Sequence, residues 1–446
     1  MRHKNNLSFL LTLLFATFAL SGCGGWIRQP TSPTPPSAPA ALPPAAELPA
    51  DDDAAAGTVR FLEERVRSDP DDFVAHNKLT GYYLRKVQET GDVQYLELAA
   101  RAARASLKSV PVEMNTGGLA GLAQAEYTAH NFAAARDHAL RLKELEPRKS
   151  LPYMLLGEAL LELGDYEQAE QAFTQMQKLG GGSFSVETRL ARVDWLHGRM
   201  TAARDRYARA LALALDEAVP SREVVAWCRW QLGEVAFARG DYETAERHYR
   251  ESLTTYPDYY RALAALGRVR AAQGDLAGGI EQYEKVVRRL PDPAFVAALG
   301  DLYKLAGKEK EAAAQYALVE QIARLSALNG ALYNRQLALF YADHDLKAQE
   351  AYALAAKEYE VRRDIYGADA LAWTALKAGK LEAAQKAIKE ALRLQTEDAR
   401  LLYHAGMIAR AAGDQNGARD YLKRALALSP QFDPLQAKLA REALAE

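Results

Sequence analysis

At 446 residues, 49% hydrophobic and 26% charged, the chain has length for several globular domains. Ala, Leu, Glu, Arg and Gln dominate its body and period-two β-branched runs are nearly absent, which points to helices throughout. Its 56 Lys and Arg against 58 Asp and Glu give a net charge of −2 with no basic run, which argues against a face that neutralises nucleic-acid phosphates.

The chain begins with Arg2, His3 and Lys4, followed by the uncharged run Leu7–Leu20. That run is too short for an ordinary transmembrane helix and suits the core of a signal peptide. Leu20-Ser21-Gly22-Cys23 comes next, and the order charged start, apolar run, tetrapeptide resembles a bacterial lipoprotein leader with its lipobox. The resemblance implies removal of residues 1–22 and acylation of Cys23, which becomes the membrane anchor. Because Gly24 rather than Asp follows the cysteine, it further implies the outer membrane, facing the periplasm, in an organism that has one, and otherwise the outer face of the cytoplasmic membrane. Loss of Arg2 and Lys4 leaves 54 basic residues against 58 acidic, a net −4. With Cys23 lipidated, Cys228 has no disulfide partner and is expected in the core.

Residues 23–56 read as a tether. Eight prolines fall between Pro30 and Pro49, among Ala, Ser and Thr, and such a sequence builds no core. Extended at about 3.1 Å per residue, residues 26–56 would reach roughly 95 Å. Asp51-Asp52-Asp53 ends it as a solvated acidic run, and residues 57–72 are predicted to form a capping helix closed by Asp69-Pro70.

From 73 to 432 one pattern recurs. Its clearest copy is Trp227–Pro257: an amphipathic run to Phe237, a break at Gly240-Asp241, a second amphipathic run, and a stop at Pro257. Gly233, Gly240, Tyr249 and Ser252 map by 34 onto Gly267, Gly274, Tyr283 and Val286; Gly157, Gly164, Ala169 and Phe173 map likewise onto Ala191, Gly198, Ala203 and Tyr207. This period, with its small, small, aromatic, small and Pro signature, resembles the tetratricopeptide repeat. The resemblance implies an all-α, right-handed superhelical solenoid of about ten helix-turn-helix repeats, one elongated array.

Several places depart from the pattern. Repeat 3 ends in Gly180-Gly181-Gly182 instead of Pro, a predicted hinge. Between repeats 4 and 5 the spacing grows by eight residues around Leu213–Glu223, read as a lengthened second helix and a loop holding Pro220. Repeat 8 is irregular, with a long second helix predicted toward Tyr366, and residues 433–446 are predicted to form a closing helix.

Catalytic signatures are missing. Gly307-Lys308 and Gly379-Lys380 lack the Ser or Thr of a phosphate loop, no HExxH, CxxC, GxSxG or GxGxxG occurs, and the eight histidines never pair on one helix face. His248 reads as a helix-surface residue. No cofactor and no metal are expected, and an enzyme is the rival reading.

The family resemblance implies binding instead, on a concave side lined by the first helices. With Gly157 or Gly233 as eighth position, positions two, five, nine, twelve and thirteen face that side. They hold the candidate partner-binding residues Trp195, Trp227, Trp230, Phe237, Arg192, Arg261, Arg268, Tyr333, Phe340, Trp373 and Tyr403, together with Tyr127, Tyr341, Arg400 and Arg410. The Lys/Asn set with which chaperone-binding relatives clamp a carboxylate is hinted at only by Asn77 and Lys78. The expectation is a non-enzymatic envelope adaptor, lipid-anchored through Cys23, that binds protein or peptide segments and no nucleic acid. The alternative is an accessory lipoprotein of an exopolysaccharide or pilus export system.

Overall fold

The computed structural model describes residues 43–48, 52–328 and 334–446, and among these every regular element is an α-helix. Cys23 and the leader, like Tyr333, lie outside the described residues. Ten antiparallel pairs form the array. Repeats 1 to 5 pair α2 (Phe73–Thr90) with α3 (Gln94–Ser109), α4 (Thr116–Thr128) with α5 (Phe132–Leu145), α6 (Ser150–Glu162) with α7 (Tyr166–Gly180), α8 (Phe184–Leu196) with α9 (Met200–Leu215), and α10 (Arg222–Ala238) with α11 (Tyr242–Thr255). Repeats 6 to 10 pair α12 (Tyr260–Ala272) with α13 (Leu276–Arg289), α14 (Pro293–Leu305) with α15 (Glu309–Leu328), α16 (Asn334–Asp343) with α17 (Ala348–Val361), α18 (Ile365–Lys377) with α19 (Leu381–Ala391), and α20 (Ala399–Ala411) with α21 (Gln415–Leu428). The flanking helices are α1 (Asp52–Ser68), which starts inside the acidic run, and α22 (Gln436–Ala445).

Local chemistry explains the hairpins. Gly164 (φ 78°) and Gly240 (φ 73°) turn the chain through the left-handed region, as His130 (φ 61°) does in repeat 2. Asp165, Asp241, Asp275 and Asp414 then cap the second helices, each side chain accepting from the amide three residues on. Where paired helices cross there is no room for a methyl group. A Cβ on Gly233 would lie 2.3 Å from Tyr249, one on Gly157 2.5 Å from Phe173, and one on Gly300 2.6 Å from Tyr316. Ala169, Ala203 and Ala245 on the second helices are fully buried.

Two expected lengths are corrected. The eight extra residues do not lengthen α9 greatly: they form the connection 216–221 and an added first turn of α10, which has 17 residues where α8 and α12 have 13. In repeat 8, α17 ends at Val361, because Arg362-Arg363-Asp364 forms the connection and Asp364 caps α18; Tyr366 belongs to repeat 9. The long second helix is α15, with 20 residues.

The array is wound, not extended. Turns inside the early repeats lie against the connections that follow repeats five places further on. Ile365 donates its backbone N–H to Tyr166 Oη (2.8 Å), Arg393 donates to the Gly164 carbonyl (2.5 Å), Thr396 donates to the Leu196 carbonyl, and Gln431 N–H donates to Tyr242 Oη (2.7 Å). A Cβ on Gly91 would meet Leu290 at 2.6 Å, whereas Gly274, Gly307, Gly379 and Gly413 face open space because no further winding covers them. The residue opening the second helix follows suit. Phe132, Tyr166 and Met200 are buried under the next winding, while Glu309 and Gln415 are exposed.

The winding reaches the start of the array too. Residues 43–48 do not stand off as a free tether: Leu48 donates its N–H to the Thr255 carbonyl at the end of α11, and Arg229 donates to the Pro43 carbonyl. The added turn of α10 buries Glu223 near Arg261 and, from the first winding, Glu89 and Arg85. Burial pushes the Glu223 carboxyl up to about 7, with Arg261 pulling the other way and Glu89 adding to the rise.

Gly233→Val is expected to lower stability by about 1–3 kcal/mol or more, seen as an earlier helical melt by circular dichroism, because Tyr249 is fully buried and has nowhere to move. A second outcome concerns pH. Unfolded glutamate titrates near 4.3, so from there to about 7 the native state keeps a proton that the unfolded state releases, and stability falls as pH rises through that window. Denaturant titrations at pH 5 and pH 8 should show a loss on the order of 1–3 kcal/mol in the wild type that Glu223→Gln lacks; equal pH profiles would refute it.

Candidate partner-binding groove

Consecutive first helices place the expected residues side by side on α8, α10 and α12, with a further set on α16, α18 and α20. The structure separates them into two groups. Phe237, Phe340, Trp373 and Tyr403 are buried, at 6%, 4%, 2% and 1% exposure. Their surface is taken by neighbours within the protein. Trp373 donates Nε1–H to Asp343 (2.8 Å) and stacks on His404 at 4.3 Å, Tyr403 lies between Trp373 and Phe432, and Phe340 between Tyr316 and His344. These side chains cement adjacent repeats. Tyr341 is likewise buried, its hydroxyl donating to Glu320.

Trp195, Trp227 and Trp230 are only half-buried. Trp227 meets Tyr207 and Phe184 edge-on at 5.9 and 6.3 Å, and Trp195 reaches Tyr366 of the next winding. Arg261 of α12 lies 5.4 Å from the Trp230 ring centre and 5.0 Å from that of Tyr260. Trp227, Trp230 and Arg261 thus make one aromatic and cationic patch spanning repeats 5 and 6.

The other groove arginines already have carboxylates. Arg268 donates to Glu234 (2.6 Å) and to Tyr249 Oη (3.2 Å) while covering Phe237 at 4.0 Å. Arg192 donates to Glu162 and to Tyr127 Oη (3.3 Å), and Arg362 from the second winding donates to the other Glu162 oxygen (2.6 Å). Burial alone would raise the Glu162 carboxyl, but the two guanidiniums override it and hold it far below the usual carboxylate range. Arg400 pairs with Asp433 and Arg410 with Glu446. An acidic partner would have to displace these internal carboxylates, so apolar contact is the groove's freer currency. Asn77 is bound to Asn115 and Ser106 and makes no clamp.

Sequence reasoning missed Glu162, Glu234 and Arg362. Glu234 and Arg268 stand 34 apart at the same repeat position, a spacing that could have shown the pair; nothing in the sequence pointed to Arg362. Elsewhere, Cys228 is fully buried, which pushes its thiol up, and His248 is buried against Glu251, not on the surface. Among the described residues no three His, Cys, Asp or Glu side chains converge on a metal position, and no helix is long and apolar enough to cross a membrane.

Models of the tetratricopeptide repeat match residues 183–258, and 120–184, 230–292 and 370–431, together more than half of the chain. A cellulose synthase operon protein C of Xanthomonas axonopodis pv. citri is 27% identical over 303 residues, 64% of this chain and 19% of that protein. A probable biofilm formation methyltransferase, WspC, of Pseudomonas putida is 38% identical over 74 residues, 17% and 16% of the two chains. This chain thus spans less than a fifth of the length of these curated relatives. Among solved structures, PilW, a type IV pilus biogenesis factor, superposes with a TM-score of 0.40 at 17% identity, covering 51% of this chain and 97% of its own. PilF of Pseudomonas aeruginosa gives 0.31 at 17% identity over 69% and 99%. Paired helices of period 34, a small residue facing bulk at their crossings, and the repeat-model matches over more than half of its length make the chain a member of the tetratricopeptide repeat family.

Proposed function

We propose that the chain is a non-enzymatic adaptor of the bacterial cell envelope, anchored through a lipid on Cys23, that holds an extended or helical protein segment by apolar anchors against repeats 5 and 6. The observation that carries the binding half is the incompletely buried patch of Trp227, Trp230 and Arg261. Tryptophan and arginine dominate binding energy at interfaces, and these two rings are already held by packing on one side, so little freedom is lost when a partner covers the other. The anchoring half is supported by the order of charged start, apolar run and lipobox, and the Gly24 that follows supports an outer-membrane, periplasm-facing address. A second reading, an accessory lipoprotein of an exopolysaccharide export system, is favoured by the likeness over 303 residues to a cellulose synthase operon protein.

Crosslinking from native membranes identifies the partner, and purified pairs then test the patch. Trp227→Ala/Trp230→Ala is expected to weaken that complex by about 2 kcal/mol or more, roughly thirty-fold in Kd, while the array stays folded at the assay temperature with only a modest fall in melting temperature; a large fall in melting temperature with unaltered affinity would make both rings core. Anchoring is checked separately. Cys23→Ala should abolish incorporation of labelled fatty acid and leave unprocessed precursor, and equal labelling of the mutant removes the lipoprotein reading.

A further inference from the structure

The connections that follow repeats 6, 8, 9 and 10 are covered by turns of repeats 1, 3, 4 and 5, but for the connection that follows repeat 5 there is no turn five repeats earlier to cover it. Residues 43–48 lie there instead. They form no helix or turn of their own. Their contacts are those of a bound peptide: the Arg229 guanidinium donates to the Pro43 carbonyl (3.1 Å), the Leu48 N–H donates to the Thr255 carbonyl in the last turn of α11 (3.3 Å), and Leu48 packs on the cluster that holds Val225, Cys228 and Leu211. Ala45 and Leu48 are the half-buried side chains apart from the exposed Pro43, Pro44, Ala46 and Glu47. Inward residues three apart match the three-residue turn of a polyproline helix, which needs no internal hydrogen bonds and leaves its carbonyls free for a guanidinium.

The receiving side is built. Arg229 is 1% exposed, is held by Glu251 at 3.0 Å, and Glu251 is in turn bound by His248. Its Nε–H has no partner, so the segment satisfies the guanidinium in part. The orphan carbonyl at a helix C-terminus is a natural acceptor for an incoming amide, and Thr255 offers one.

We propose that repeat 5 carries a site for an extended, proline-bearing peptide, and that residues 43–48 occupy it in cis as a releasable strap. Two hydrogen bonds and one half-buried leucine are few contacts. They suffice because the segment is joined to α1 close by, which gives it a high effective concentration that a free peptide lacks. Release would lengthen the linker ahead of the array by these residues and bare Arg229 and Glu251. The inference rests on the contacts alone and stands or falls independently of the lipid on Cys23 and of the tryptophan patch.

Hydrogen exchange and elastase digestion of the full chain test it. In the wild type the Leu48 amide should exchange at least ten-fold more slowly than in an unstructured peptide, and cleavage at Ala45 and Ala46 should be slow. Leu48→Asp should abolish both protections without moving the helical melt, since Leu48 lies outside the repeats. A fluorescein-labelled peptide of residues 41–50 should then bind the Leu48→Asp chain at least ten-fold better than the wild type, whose site is filled. Unprotected wild-type amides, or equal peptide binding by the two chains at millimolar concentration, would overturn the proposal. So would unchanged exchange and digestion in the Leu48→Asp chain.

Discussion

Glu162 is buried between two guanidiniums that belong to different windings of the same chain: Arg192, one repeat on, and Arg362, five repeats on. A lone buried carboxylate in such a place would be strongly destabilising, so the charge is tolerated only when both arginines arrive together. Their arrival depends on the rotation between successive repeats, summed over five of them. The seam of Tyr166, Leu196 and Tyr242 against Ile365, Thr396 and Gln431 repeats the same dependence with neutral groups. The wound shape therefore follows from many small packing angles, and the polar groups at the seam select the one winding in which they are all paired.

Packing between neighbouring repeats alters what the inner surface is for. In an open array each first helix would show its second, fifth and ninth positions to solvent. Here Arg192, Arg268 and Arg400 are held by internal carboxylates, and Trp373, Tyr403 and Phe340 lie within the packed repeats 8 to 10. Repeats 5 and 6 differ because α10 carries Trp227 and Trp230 on one side and the buried Arg229 on another, so two kinds of surface meet in one repeat. The added turn of α10 buries Glu223, whose carboxyl feels Arg261 and, from α2, Glu89 and Arg85.

The ends of the array obey the same rule. The covered turn residues Phe132, Tyr166 and Met200 are large, apolar and buried, whereas in the uncovered repeats the same position holds the half-buried Leu276 and Leu381 and the exposed Glu309 and Gln415. A polar residue is thus tolerated at this position only where no winding covers it. At the other edge, where there is no turn five repeats before the connection that follows repeat 5, residues 43–48 lie against α10 and the end of α11.

The sequence by itself determined the repeat: a glycine facing Tyr249, Phe173 or Tyr316, a left-handed turn residue, and a capping aspartate are local requirements, each met within 34 residues, so they are readable one hairpin at a time. It also placed Trp227, Trp230 and Arg261 on neighbouring faces, because residues three apart on one helix point the same way. Only the tertiary structure decided which of the inner aromatics are left incompletely buried, that Arg362 reaches Glu162, and that part of the proline-rich segment is docked. Those contacts join residues about 200 apart, and their separation in space is fixed by inter-repeat rotations that no single hairpin encodes.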